Sequence, residues 1–109
     1  GDQADPRFYK LIAYSYDEKK DSVNAKNYLD QYFAKQKPDG FVPKDYEFRA
    51  TTLAKFPGNE AQALASYDQA IALDTALDSR IELMANAAAL SKKSGNRAAE
   101  AKYLGIIPQ

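Results

Sequence analysis

The chain has 109 residues, enough for one domain that buries a core without covalent staples. Its 15 basic residues balance 15 acidic ones, and it contains neither Cys nor His. That composition excludes a disulfide framework, thiolate and imidazole metal sites, and the basic field that a nucleic-acid binder needs. No apolar run approaches the roughly 18–20 residues that span a bilayer, so no membrane insertion is expected. Alanine is abundant and valine occurs only at Val23 and Val42, which favours helix over sheet.

Asp5-Pro6 opens a first helix over 7–19, with Phe8, Tyr9, Ile12, Ala13 and Tyr16 as its apolar stripe. Asp21 or Ser22 caps a second helix that runs to about Lys35 and carries Ala25, Tyr28, Leu29, Tyr32 and Phe33 on one side. Lys37-Pro38-Asp39-Gly40 stops it, because Pro cannot extend the hydrogen-bond ladder and Gly accepts a left-handed turn. Pro43-Lys44-Asp45 opens a third helix with Tyr46, Ala50 and Leu53 inward, closed by Phe56-Pro57-Gly58.

The fourth helix is the best defined. Asn59 can accept a first-turn N–H, and Gln62 can reach back as in a capping box. Ala63, Tyr67, Ala70, Ile71 and Asp74 then recur at helical spacing, a small–large–small face that admits a close neighbour. Thr75, with Asp78 three residues on, is expected to cap a fifth helix whose stripe is Ile81, Met84, Ala85 and Ala88. Gly95-Asn96 makes the next turn, and a short sixth helix holds Ala99, Tyr103 and Ile106 before Pro108.

These helices repeat. Ala25, Leu29 and Tyr32 line up with Ala63, Tyr67 and Ala70, and with Ala99, Tyr103 and Ile106. Tyr9, Ile12, Ala13 and Tyr16 line up with Tyr46, Arg49, Ala50 and Leu53, and with Ile81, Met84, Ala85 and Ala88. The offsets of about 35–38 residues lie near the 34-residue tetratricopeptide period.

On these residues the chain resembles the tetratricopeptide repeat (TPR) family, bacterial type, over nearly its whole length. The matching patterns are Tyr9-x2-Ile12-Ala13-x2-Tyr16 with Ala25-x3-Leu29, Ala63-x3-Tyr67-x2-Ala70, and Ile81-x2-Met84-Ala85-x2-Ala88 with Ala99-x3-Tyr103. Departures are equally specific. Arg49 falls where the family buries an apolar residue, unless a one-residue slip puts Ala50 there. Pro57 reads as an insertion, Lys20 replaces a turn glycine, and the fifth helix reads about three residues longer than the family standard.

The resemblance implies an all-α fold: one domain, 1–109, of about three hairpins (6–38, 43–75 and 76–107) in a right-handed α-α superhelix. It implies a non-catalytic scaffold whose concave groove binds a protein or extended peptide, with no cofactor. By family position the groove would be lined by Arg7, Lys10 and Tyr14, then Lys44, Glu47 and Thr51, then Ser79, Glu82 and Asn86. The family's clamp for C-terminal carboxylates, built from Lys, Asn and Arg, is not reproduced, because Tyr14 stands beside Lys10 where an Asn is needed. The mixed charge of the set suits a polar ligand carrying both signs.

Other clusters read as structure. Asp17-Glu18, Asp45 with Glu47, and Asp74 with Asp78 lie at helix ends near lysines, a dipole-capping arrangement with no sign of acid–base or metal chemistry. Lys19-Lys20, Lys35 with Lys37, and Lys92-Lys93 sit near helix C-termini, where cations are favoured. The rival expectation is a structural or self-associating segment of a longer solenoid, docking through the apolar end at Ile106-Ile107. A chain beginning Gly1-Asp2-Gln3 without Met reads as processed or excised, which leans to a bacterial extracytoplasmic location after removal of a signal segment.

Overall fold

The computed structural model describes residues 5–106, whose regular structure is all helical, with no strand among them. The helices are α1 (Arg7–Glu18), α2 (Ser22–Lys35), α3 (Pro43–Leu53), α4 (Glu60–Leu73), α5 (Leu77–Lys93) and α6 (Arg97–Ile106). The chain divides into two compact units, Gly1–Phe41 and Val42–Gln109. Helix α1 packs on α2 in the first unit; in the second, α3 packs on α4, α4 on α5 and α5 on α6. None of the helices is long and apolar enough to cross a membrane.

In the first unit the expected stripe of α2 is inward, with Ala25, Leu29 and Tyr32 buried. Rings do much of the joining. Tyr16 of α1 stacks on Tyr28 of α2 with centroids 5.6 Å apart. Phe33 stacks on Phe41 at 4.9 Å, and Tyr32 meets Phe41 edge-on at 5.6 Å. Such pairs contribute about 0.5–1.5 kcal/mol beyond the area they bury. Phe8 leaves the predicted stripe of α1 and is 62% exposed. It lies about 100° from Tyr9 around the helix, so the face that buries Ala13 turns Phe8 outward.

The second unit interleaves buried alanines with larger aliphatic and aromatic side chains. Its core joins Ala50, Leu64, Tyr67, Ala70, Ile71, Leu83, Met84, Ala87, Ala88 and Tyr103, with Tyr46, Leu90 and Ala99 packed against it. Of Arg49 and Ala50 it is Ala50 that is buried, with Asp45, Phe48, Thr52 and Leu53 of the same helix. In α5 the inward face is Leu83, Met84, Ala87, Ala88 and Ser91, while Ala85 is exposed and Ile81 only partly covered. Met84 and Ala88 are thus inward as expected, and the face is rotated by less than one residue step, toward Leu83, Ala87 and Ser91 and away from Ile81 and Ala85. Ile106, expected on the inward stripe of α6, is 50% exposed.

The hairpin turns carry the repeat most plainly. Lys20, Gly58 and Gly95 all take positive φ, at 61°, 89° and 75°. This left-handed conformation reverses the chain after a helix and is easiest for glycine. Lys20 adopts it in spite of its Cβ. In the first and third turns the next residue closes a six-residue loop, Asp21 N–H to the Tyr16 carbonyl (2.9 Å) and Asn96 N–H to the Ser91 carbonyl (2.8 Å). The side chains of Asp21 and Asn96 then cap α2 and α6, accepting from the N–H of Asn24 (3.1 Å) and Ala99 (3.0 Å).

The central turn differs. Helix α3 ends at Leu53, and Lys55 and Phe56 continue it only as tight turns onto the carbonyls of Thr52 and Leu53 before Gly58. Pro57 lies in this extension. Asn59 follows, but its side chain makes no cap. With φ −103° and ψ 16° it is not in the extended conformation that swings a capping side chain over the first turn.

Two further expectations change. Gly40 does not turn left-handed; Pro38–Gly40 forms a 3-10 turn after α2, and a Cβ on Gly40 would fall 2.6 Å from the Gln36 side chain. Thr75 does not cap α5, because the helix starts only at Leu77 with Ala76 at its N-cap. Asp74 instead folds over the junction and accepts the Ala76 N–H at 2.9 Å.

Candidate functional site

Helix α3 begins at Pro43, whose fixed φ suits a first helical position and whose missing N–H needs no partner there. The Asp45 carboxylate takes the Val42 N–H at 3.0 Å and is itself buried. Lys44 and Glu47 are thereby held on the opposite side of the first turn. Their side chains form an i,i+3 pair at 3.5 Å, with the lysine 83% exposed and the glutamate 26%. The start of α5 comes alongside. Pro43, Lys44, Glu47, Asp74, Ser79, Glu82 and Leu83 together line a cleft of about 60 Å³. Pockets that enclose small-molecule ligands run to roughly 300–1,000 Å³, so this one admits a side chain and not a metabolite.

The electrostatics place Glu47 between the cleft and the core. Tyr67 of α4 has its phenol pushed up from the ordinary value, first by burial and then by the nearby Glu47 charge. Deeper support comes from α6. The Tyr103 hydroxyl donates to Asp68 Oδ1 at 2.6 Å, tying α6 to α4, and Lys102 approaches the same carboxylate at 3.8 Å. Burial, then the hydrogen bond to Asp68 and its charge, raise the Tyr103 phenol far above its usual range. No three acidic side chains converge as metal ligands among the described residues.

Four of the nine residues expected to line a groove thus meet at one place: Lys44, Glu47, Ser79 and Glu82. Thr51 and Asn86 are exposed about one turn further along α3 and α5, outside the cleft, and the Thr51 hydroxyl donates to the Phe48 carbonyl at 3.1 Å. Counted back from the left-handed residues, Ala88 corresponds to Ala13, which sets Glu82 rather than Ser79 level with Arg7. Asp74, Pro43 and Leu83 complete the lining and were not expected there. For Asp74 the available signal was its place immediately before the start of α5.

The first unit treats its three candidates differently. Arg7 donates through Nε and Nη2 to Asp5, with the closest approach 2.6 Å, and this pairing holds the Asp5 carboxyl at about 2. The Lys10 ammonium lies 4.9 Å from the centre of the Tyr32 ring. Tyr14 is 37% exposed on the same helix. Arg7 and Lys10 also border an open, mainly apolar hollow with Asp5, Phe8 and Leu11.

Comparison with protein-family models, with curated proteins and with solved structures finds no match for this chain.

Proposed function

We propose that the protein is a non-catalytic scaffold that binds a protein or an extended peptide along the first helices of its hairpins, in the manner of a TPR domain. The observation that carries this reading is the cleft where the first turns of α3 and α5 meet, which gathers Lys44, Glu47, Ser79 and Glu82. Its size and mixed polar lining suit the side chain of an extended segment and leave no room to enclose a reacting metabolite. Three helix pairs joined by left-handed residues at Lys20, Gly58 and Gly95 support the TPR resemblance. The test is a binding screen with a library of extended peptides, repeated on Glu47→Ala/Glu82→Ala. Retained binding in that variant, with an unchanged unfolding midpoint, overturns the assignment of the cleft.

A structural role by self-association is the second reading. Leu104 and Ile106 expose about half of their surface on α6, at 49% and 50%, which gives a second copy something apolar to cover. Ile107 lies outside the described residues. Sedimentation equilibrium separates the two readings, since a monomer up to millimolar concentration removes the second.

A further inference from the structure

From the charge and shape of the same cleft we infer that its occupant is a basic side chain, lysine or arginine, presented by an extended peptide; this rests on the binding role proposed above. Three acidic residues, Glu47, Asp74 and Glu82, and one basic residue, Lys44, line the cleft. The first turns of α3 and α5 also border the cleft, and each helix N-terminus adds roughly half a positive charge. The lining side chains alone sum to two negative charges, and each N-terminus already has a carboxylate in its first turn, Asp45 and Asp78, so a cationic head group meets net negative charge there. Lys44 does not fill that role itself, because its side chain is 83% exposed and reaches only Glu47, at 3.5 Å.

Shape selects among cations. The acids are spread around the cleft and do not converge as ligands for a bare metal ion. Metal ligation needs several oxygens within about 2–2.6 Å of one point. Pro43 and Leu83 supply apolar wall between the carboxylates, and Ser79 adds a hydroxyl acceptor. A methylene stem lying on Pro43 and Leu83 with its charged end among Glu47, Asp74 and Glu82 satisfies both parts of the lining. Leu83 is itself part of the core, so the wall is rigidly held.

The experiment is an NMR titration of the whole chain at low salt with three short capped peptides of Gly and Ser. They differ only in the central residue: lysine, norleucine or glutamate. The lysine peptide is expected to shift the amides of Lys44 to Glu47 and of Asp74 to Leu83 most strongly. Glu47→Gln and Glu82→Gln are each expected to weaken it by about two- to fivefold, the scale of an exposed ion pair. Salt should weaken it further, through screening over about 8–10 Å. If norleucine or glutamate shifts the same amides equally, the basic preference is overturned while the binding role stands. If none of the three peptides shifts them, both are overturned. A lysine-peptide response unchanged in both Gln variants also overturns the inference.

Discussion

The first unit and the second solve the same packing problem with different side chains. In the first, Tyr16 on Tyr28 and Lys10 over Tyr32 join α1 to α2, and Phe33 stacks on Phe41 of the segment after α2. In the second, five alanines are buried, Ala50, Ala63, Ala70, Ala87 and Ala88, against Ala13 and Ala25 in the first, and Leu64, Ile71, Leu83 and Met84 join Phe48, Tyr67 and Tyr103 between the backbones. Rings tolerate a wider separation and bring their own orientation preference, whereas alanines permit close approach only if nothing larger intrudes. The hairpin turns differ too, with a lysine left-handed in the first unit and glycines in the second.

The largest expected effect tests the small-residue packing. Ala63→Leu, at a site with no exposed surface, should overpack the second unit and lower stability by about 1–3 kcal/mol in urea denaturation. Tyr28→Leu in the first unit changes a half-buried ring and should cost only about 0.5–1.5 kcal/mol, the worth of the lost stack. Equal losses at the two sites would erase the distinction between the units.

The next effect isolates a polar tie between α6 and α4 of the second unit. Tyr103→Phe removes the hydroxyl bonded to Asp68 and should cost about 1 kcal/mol, the low end for a charged acceptor because that carboxylate is half exposed. The sign of its pH dependence follows from the raised phenol. Folding favours the neutral form, so the contribution is complete below about pH 10, where an unfolded tyrosine begins to ionise. It is lost as pH rises from there through the folded value. Wild type should therefore destabilise in alkali more steeply than Tyr103→Phe. Parallel alkaline curves for the two proteins would remove Tyr103 as the responsible group.

The smallest effect concerns the turns. A left-handed non-glycine residue costs about 1–2 kcal/mol, partly offset because glycine orders at a greater entropic cost. Lys20→Gly should stabilise by roughly 0.5 kcal/mol. Gly95→Ala should destabilise by about 1 kcal/mol, although a Cβ there would meet nothing within 4 Å, because the penalty is conformational. Thermal melts of the two variants moving in the same direction would show that the turns are not equivalent.

Much of this organisation was legible in the residues. Punctuation located the helices well: α2 ends at Lys35 and α3 starts at Pro43, as read. Where side chains differed in size the inward face was also readable, as with Ala25, Leu29 and Tyr32. In α5 it was not, because alanines at 85, 87, 88 and 89 offer no contrast between neighbouring registers. Only packing decides that Ala87 and Ala88 turn inward and Ala85 outward. The cap on α4 failed for a similar reason, since the identity of Asn59 permits capping but the backbone of an extended turn denies it. Four of the seven residues lining the cleft, Lys44, Glu47, Ser79 and Glu82, were among those singled out from the sequence. The part contributed by Asp74 and Leu83 depends on how α3 and α5 meet, which periodicity within one helix does not encode.

The long turn between α3 and α4 also offers an engineering handle. Pro57 and Gly58 are exposed, and the space beside Gly58 is open to at least 4 Å. Exposed loop tips of small residues are where added sequence is best accommodated. A fluorescent reporter or an affinity epitope spliced between Pro57 and Gly58 therefore sits away from both the alanine-lined interior and the acid-lined cleft. Such a tagged chain would let binding be followed without labelling either.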